Sequence, residues 1–123
     1  MSKNKIYNSG IILPLKEGYS KNDFGAVSVW VNSYLSYTKD KKIIIFCKKN
    51  SNNKYLSKNV KPINVNSKLY TNFNYIKNIC DEIKKKKLSF IEIHNRPEYA
   101  IYILKNYPKV KVNLIFHNDP NKI

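Results

Sequence analysis

The stretch that decides the fold is Lys42-Ile43-Ile44-Ile45-Phe46-Cys47, KIIIFC. Its apolar residues follow one another without polar alternation, so a strand here presents oily side chains on both faces. An antiparallel strand with one wet face would alternate instead. The segment therefore predicts a parallel strand covered from above and below.

Working outward, the apolar period switches repeatedly along the chain. Upstream, Lys5 to Leu13 carries Ile6, Tyr7, Ile11, Ile12 and Leu13 and stops at Pro14, which predicts a strand. From Phe24 the spacing turns helical, with Phe24, Val27, Trp30, Val31, Tyr34 and Leu35 three or four apart, predicting a helix of about four turns. Ser20 with Asp23 forms a capping box for it, or Asp23 caps it directly. Downstream, Lys48 to Leu69 is polar and holds Pro62, so it predicts a loop with a short strand at Lys61 to Val65. Asn72 to Lys87 is helical again, with Phe73, Ile76, Cys80 and Ile83 on one stripe and Ile79 beside it. Its lysine-rich end suits the negative pole of a helix. Leu88 to His94 (LSFIEIH) predicts a strand. Pro97 suits a first helical position, and Ala100 to Tyr107 continue a short helix that Pro108 ends. Val110 to His117 (VKVNLIFH) predicts the last strand. The sum is an α/β layered fold with a mostly parallel sheet. A final parallel strand with no helix after it further predicts a truncated domain, incomplete at its carboxyl end.

Length and composition narrow the classes. At 123 residues, 42% of them apolar, the chain is one domain with a real core, and disorder throughout is excluded. The net charge of +15 points to an anionic partner. Yet Arg96 is the only arginine, and proteins that read bases lean on the arginine fork. A solvated lysine surface is the plainer reading, and no specific nucleic acid partner is expected. Cys47 and Cys80 lie within apolar runs, as buried reduced thiols do, with no CxxC spacing. Lys3 and Lys5 are followed by Asn8, Ser9 and Gly10, which leaves a signal peptide without its apolar middle. No apolar run approaches the ~20 residues of a membrane span. A cytoplasmic location is expected, and contact with a membrane surface stays open. With three glycines, no GxGxxG or GxxxxGK phosphate loop exists.

In an open parallel sheet, ligands bind beyond the carboxyl ends of the strands, where the strand order reverses. Three segments fall at that edge: Pro14 to Gly25, His94 to Glu98 and His117 to Pro120. Both histidines of the chain are there, opening the phrases His94-Asn95-Arg96-Pro97 and His117-Asn118-Asp119-Pro120. Each imidazole is either a loop or cap hydrogen-bonding group or part of a site. A metal site from His94, His117 and Asp119 lacks the close ligand spacing that zinc favours, so no metal is expected. Gly25 at the helix start serves either tight packing or close approach of a phosphate or sugar hydroxyl. Lys16 and Arg96 lie in the same edge loops, where Lys16 is either a solvated lysine or an anion contact. Glu17, Asp23, Glu98 and Asp119 are the carboxylates expected near this edge.

On these residues the chain resembles the amino-terminal, acceptor-side domain of the family 4 glycosyltransferases, retaining enzymes built from two facing Rossmann-like domains (the GT-B architecture). The matching segments are LPLKEGYS (13–20) leading to the Phe24-Gly25-Ala26 helix start, IEIHNRP (91–97) and LIFHNDP (114–120). The resemblance implies a Rossmann-like three-layer sandwich and transfer of a sugar from a nucleotide-sugar donor to a glycan or lipid-linked acceptor. It places His117 and Asp119 in the catalytic role, with Asn118 beside them. Gly25 and Ala26 would lie near the donor phosphates, and His94, Asn95 and Arg96 on the acceptor side. It implies no cofactor, and a carboxyl-terminal donor domain as partner. This chain departs from the family in having one glycine at the helix start, where a Gly-Gly pair followed by an acidic residue is common. The paired-glutamate donor domain is missing from these 123 residues, so the isolated chain is expected to show little or no transfer. The alternative is a stand-alone small α/β ligand-binding module without catalysis, of the flavodoxin or receiver kind.

The doubly covered strand makes the first prediction. Ile44→Asp places an unpaired charge between the layers, so the variant is expected to lose its cooperative thermal transition by circular dichroism; a native-like melt would refute the two-sided burial.

Overall fold

The computed structural model describes residues 6–38, 42–65, 68–69 and 71–117. Five strands and three helices follow in the order β1 (Ser9–Ile12), α1 (Ala26–Thr38), β2 (Ile43–Lys48), β3 (Val60–Ile63), α2 (Thr71–Lys86), β4 (Phe90–His94), α3 (Pro97–Asn106) and β5 (Lys111–Ile115). All strand pairs are parallel, in the order β3-β2-β1-β4-β5. That is a Rossmann-like sheet, and its order reverses between β1 and β4.

The reason is visible in β2. Ile44 and Phe46 point into the core beneath α2 and α3, while Ile43, Ile45 and Cys47 point into the core beneath α1. All five are buried, as the unbroken apolar run demands. On β1, Ile12 faces the α2/α3 side and Ile11 and Leu13 face α1, with the same alternation. The crossovers that follow put α1 on one face and α2 and α3 on the other, giving three layers.

No helix joins β2 to β3. The loop between them lies on the α1 face, where Tyr55 and Leu56 pack against the cluster that Val27 and Val31 enter from α1. The Leu56 amide donates to the Tyr19 carbonyl at 3.0 Å, and the Tyr19 and Ser57 hydroxyls are 2.7 Å apart. Pro62 is accommodated in β3 because β3 is the sheet edge.

Two expectations about helix faces need correction. Val27 and Val31 of α1 are buried, but Phe24, Trp30 and Tyr34 are exposed at 59%, 40% and 39%, and the fully buried neighbour is Ser28. The helix covers β1 and β2 with a narrow stripe, so the aromatics drawn into the same periodic set fall on its flank. On α2, Ile76, Ile79, Cys80 and Ile83 are buried as the stripe predicts, yet Phe73 is half exposed and Tyr75 takes the interior place. The Tyr75 hydroxyl donates to the Leu13 carbonyl at 2.7 Å and lies 3.3 Å from that of Phe46, tying the carboxyl ends of β1 and β2 together. Burial pushes its pKa well above the ordinary tyrosine value. Both cysteines are free and buried, and burial pushes the Cys47 thiol up to about 12. No helix among the described residues is long and apolar enough to cross a membrane.

Gly10 permits the close approach at the centre of the sheet. A Cβ there would lie 2.8 Å from the Phe46 ring and 3.2 Å from Ile91 and from Leu88. Gly10→Ala is therefore expected to destabilise the domain by about 1–3 kcal/mol through overpacking, read as a lower urea midpoint with unchanged slope.

Candidate functional site

The carboxyl ends of β1, β4 and β5 form one rim, and the loop after β1 closes its near side. Glu17 in that loop turns its carboxylate onto the start of α1, where it accepts from the amides of Val27 at 3.4 Å and Ser28 at 2.5 Å. A carboxylate against the positive end of a helix is favourable, so Glu17 is the cap of α1. This replaces the capping expected from Ser20 and Asp23. Asp23 instead accepts from the Gly18 amide at 3.3 Å and pairs with Lys48 at 3.0 Å, which holds the loop on itself.

Gly25 makes the seat for Glu17. A Cβ on it would overlap the Glu17 side chain, and its φ is negative, so its service is space and not an unusual backbone angle. The Gly25 amide donates to the Ser28 hydroxyl at 2.7 Å, which donates back to the Gly25 carbonyl at 3.0 Å. Three amides at the helix start, those of Gly25, Val27 and Ser28, are thus already engaged by protein groups.

A cleft of about 340 Å³ opens at this place, lined by Pro14, Lys16, Glu17, Gly25, Asn95 and Arg96 among others. It brings together Lys16, Gly25, Asn95 and Arg96 of the expected binding residues. Ala26 is not among its lining residues; it lies on an adjoining apolar shelf with Phe24, Val29 and Trp30. Asn95 has φ 61°, a left-handed conformation that asparagine tolerates. Its amide donates to the Ile115 carbonyl at 2.8 Å and its side-chain oxygen accepts from the His117 amide at 2.7 Å. Asn95 therefore joins the ends of β4 and β5. Arg96 donates to the Asn95 carbonyl at 3.0 Å and lies 3.8 Å from the exposed Glu98 carboxylate, a weak pair.

Both imidazoles meet. His94 Nδ1 lies 2.6 Å from His117 Nε2, the rings are stacked with centroids 4.8 Å apart, and His94 Nε2 lies 2.8 Å from Glu92 Oε2. The strand period explains the alignment. Ile91 and Ile93 face the α2/α3 core, so Glu92 and His94 share the opposite face of β4. Trp30 reaches over from α1, with its ring centroid 5.3 Å from His94 and 5.4 Å from His117, and Tyr34 stacks on Trp30 at 5.4 Å.

The cover has a consequence for the expected roles. His94 is 0% exposed, so it does not line an acceptor surface as the resemblance implied; its ring nitrogens are used by Glu92 and His117. His117 is partly exposed, and its pKa is lowered, first by burial and then by neighbouring His94, against opposing pulls from Glu17 and Glu92. Asn118 and Asp119 lie outside the described residues. Glu92 was missed among the carboxylates of the edge, although its position two residues before His94 places it on the same strand face. Helical spacing puts Trp30 on one face with Val27 and Val31, and the structure turns its ring onto the two histidines. Among the described residues no group of three His, Cys, Asp or Glu side chains is arranged to hold a metal ion.

Chemically, the rim offers a half-buried imidazole held by two partners, an amide and a guanidinium beside it, and a carboxylate where an anion would otherwise bind. Such a set presents hydrogen-bond donors and acceptors, with the Lys16 and Arg96 cations beside them, to a polar ligand. No family model, no curated protein and no solved structure matches the chain.

Removing the cap tests the loop. Glu17→Ala is expected to cost about 1 kcal/mol of stability and to speed amide exchange at Val27 and Ser28; unchanged exchange would show that the carboxylate is not their partner.

Proposed function

We propose that the chain is the acceptor-side domain of a retaining glycosyltransferase, which moves a sugar from a nucleotide-sugar donor to a glycan or lipid-linked acceptor. What supports the reading is the convergence of His117, Asn95 and Arg96, from two of the three segments that carry the family resemblance, beside the point where strand order reverses. In this reading a sugar hydroxyl sits in the cleft beside Lys16 and Asn95, and His117 holds the hydroxyl nearest the reacting carbon. Asp119 acts from the segment that follows, with Asn118 next to it.

The assignment to the acceptor side has an electrostatic reason. A diphosphate approaching the start of α1 meets the Glu17 carboxylate, which already occupies the amides and repels further negative charge. Donor phosphates are therefore left to a second domain, and the 123-residue chain by itself binds hydroxyl-bearing sugars without turning them over. Gly25 and Ala26 form the wall between the cleft and that domain.

The test uses the chain as it is. Titrating methyl glycosides into labelled protein is expected to shift the amide signals of Lys16, Asn95, Arg96 and His117 together and saturably, while incubation with UDP-glucose or GDP-mannose and the same glycosides yields no transfer product. Turnover by the chain alone, or glycosides that leave those four signals in place, would overturn the proposal.

A further inference from the structure

We propose that Glu92, His94 and His117 act as one relay, in which Glu92 and His94 are positioning residues that present the outward ring nitrogen of His117, Nδ1, to a substrate hydroxyl as a hydrogen-bond and proton acceptor. This deepens the reading above, on which it rests for the identity of the hydroxyl. The arrangement of protons follows from the contacts.

An ionised carboxylate only accepts, so the Glu92 contact at 2.8 Å requires a proton on His94 Nε2. A neutral His94 then carries its lone pair on Nδ1. The 2.6 Å contact to His117 in turn requires the proton of that ring on Nε2, and its lone pair falls on Nδ1. Among the described residues no hydrogen bond to His117 Nδ1 is made, and the residue is partly exposed. Two further groups hold the ring in place: the Asn95 side chain on its backbone amide and the Trp30 indole against its edge.

The same chain of contacts can take a proton. When a hydroxyl gives its proton to His117 Nδ1, the proton on His117 Nε2 passes to His94 Nδ1, and the O–H electron pair stays on the substrate oxygen. The positive charge then rests on His94, beside the Glu92 carboxylate and beneath Trp30, away from solvent. Among the described residues, the charged and titratable groups facing His117 are Glu92 and His94 from β4 and Glu17 from the loop after β1; α1 contributes Trp30, which is uncharged.

With two histidines in the chain, ring-nitrogen NMR of labelled histidine resolves the relay without any substrate. Near neutral pH both rings are expected as the Nε2–H tautomer, and on acidification the first proton taken up is expected to move the signals of both rings together, as a shared step of the pair. Glu92→Gln keeps an acceptor but removes the charge, so the shared step is expected to fall by about one pH unit or more. A proton on Nδ1 of either ring near neutral pH, separate steps for the two rings, or a step that Glu92→Gln leaves in place would overturn the relay. If Glu92 were only a structural partner, its substitution would lower the melting temperature and leave the step unmoved. Should that variant not fold, the tautomers and the shared step of the unaltered chain still decide. Failure of glycosides to bind would remove the proposed function and leave this result standing, and the converse also holds.

Discussion

Burial of β2 on both faces is the constraint from which the rest of the domain follows. Ile43 to Cys47 cannot be satisfied by one covering layer, so the crossover through α1 has to lie on one side and the crossover through α2 on the other. With right-handed connections, those sides require the chain to run outward from β1 to β3 and then return past β1 to β4. The reversal point between β1 and β4 is therefore a product of core packing. Its cleft arises because the loop after β1 and the turn after β4 leave the sheet in different directions.

The chemistry at the rim depends on where cover runs out. On the α2/α3 face, β4 is lined by Ile91 and Ile93, and the interior is apolar. On the other face α1 spans β1 and β2, and its Trp30 side chain extends across to His94 at the end of β4 and to His117 after β5. Glu92 and His94 can occupy that face because they satisfy one another and His117; an isolated buried imidazole beside an unpaired carboxylate would be costly. Trp30 lies against both rings, and His94 is fully buried while His117 stays partly exposed. Glu17 closes the other side by occupying the start of α1, where it accepts from the Val27 and Ser28 amides.

Most of the strand and helix order was legible in the residues because period is a local property. Unbroken apolar runs, helical spacing and prolines at element ends all act within a few residues. The side-chain assignments were legible only where a stripe coincides with the face actually covered. Trp30 and Tyr34 fit the helical stripe of Val27 and Val31, but whether that stripe is wide or narrow depends on how α1 sits over the sheet. Glu17 was placed at the edge, yet its seat against Val27 and Ser28 depends on a loop folding back across the helix start. The capping pattern of Ser20 and Asp23 was a local signal outcompeted by that tertiary contact.

The residues by themselves determined that the domain is a parallel α/β sheet and that both histidines close strands on one rim, because alternation of period and the positions of Pro14, Pro97 and Pro108 do not depend on distant partners. Only the tertiary structure decided that the two rings touch, that His94 is covered while His117 is reached from outside, and that Glu92 joins them. Those facts depend on the register of β4 against β5, which pairs His94 with Ile115, and on a tryptophan arriving from the helix between the first two strands. Register and crossing position are set by the whole core, and no short window of sequence contains them.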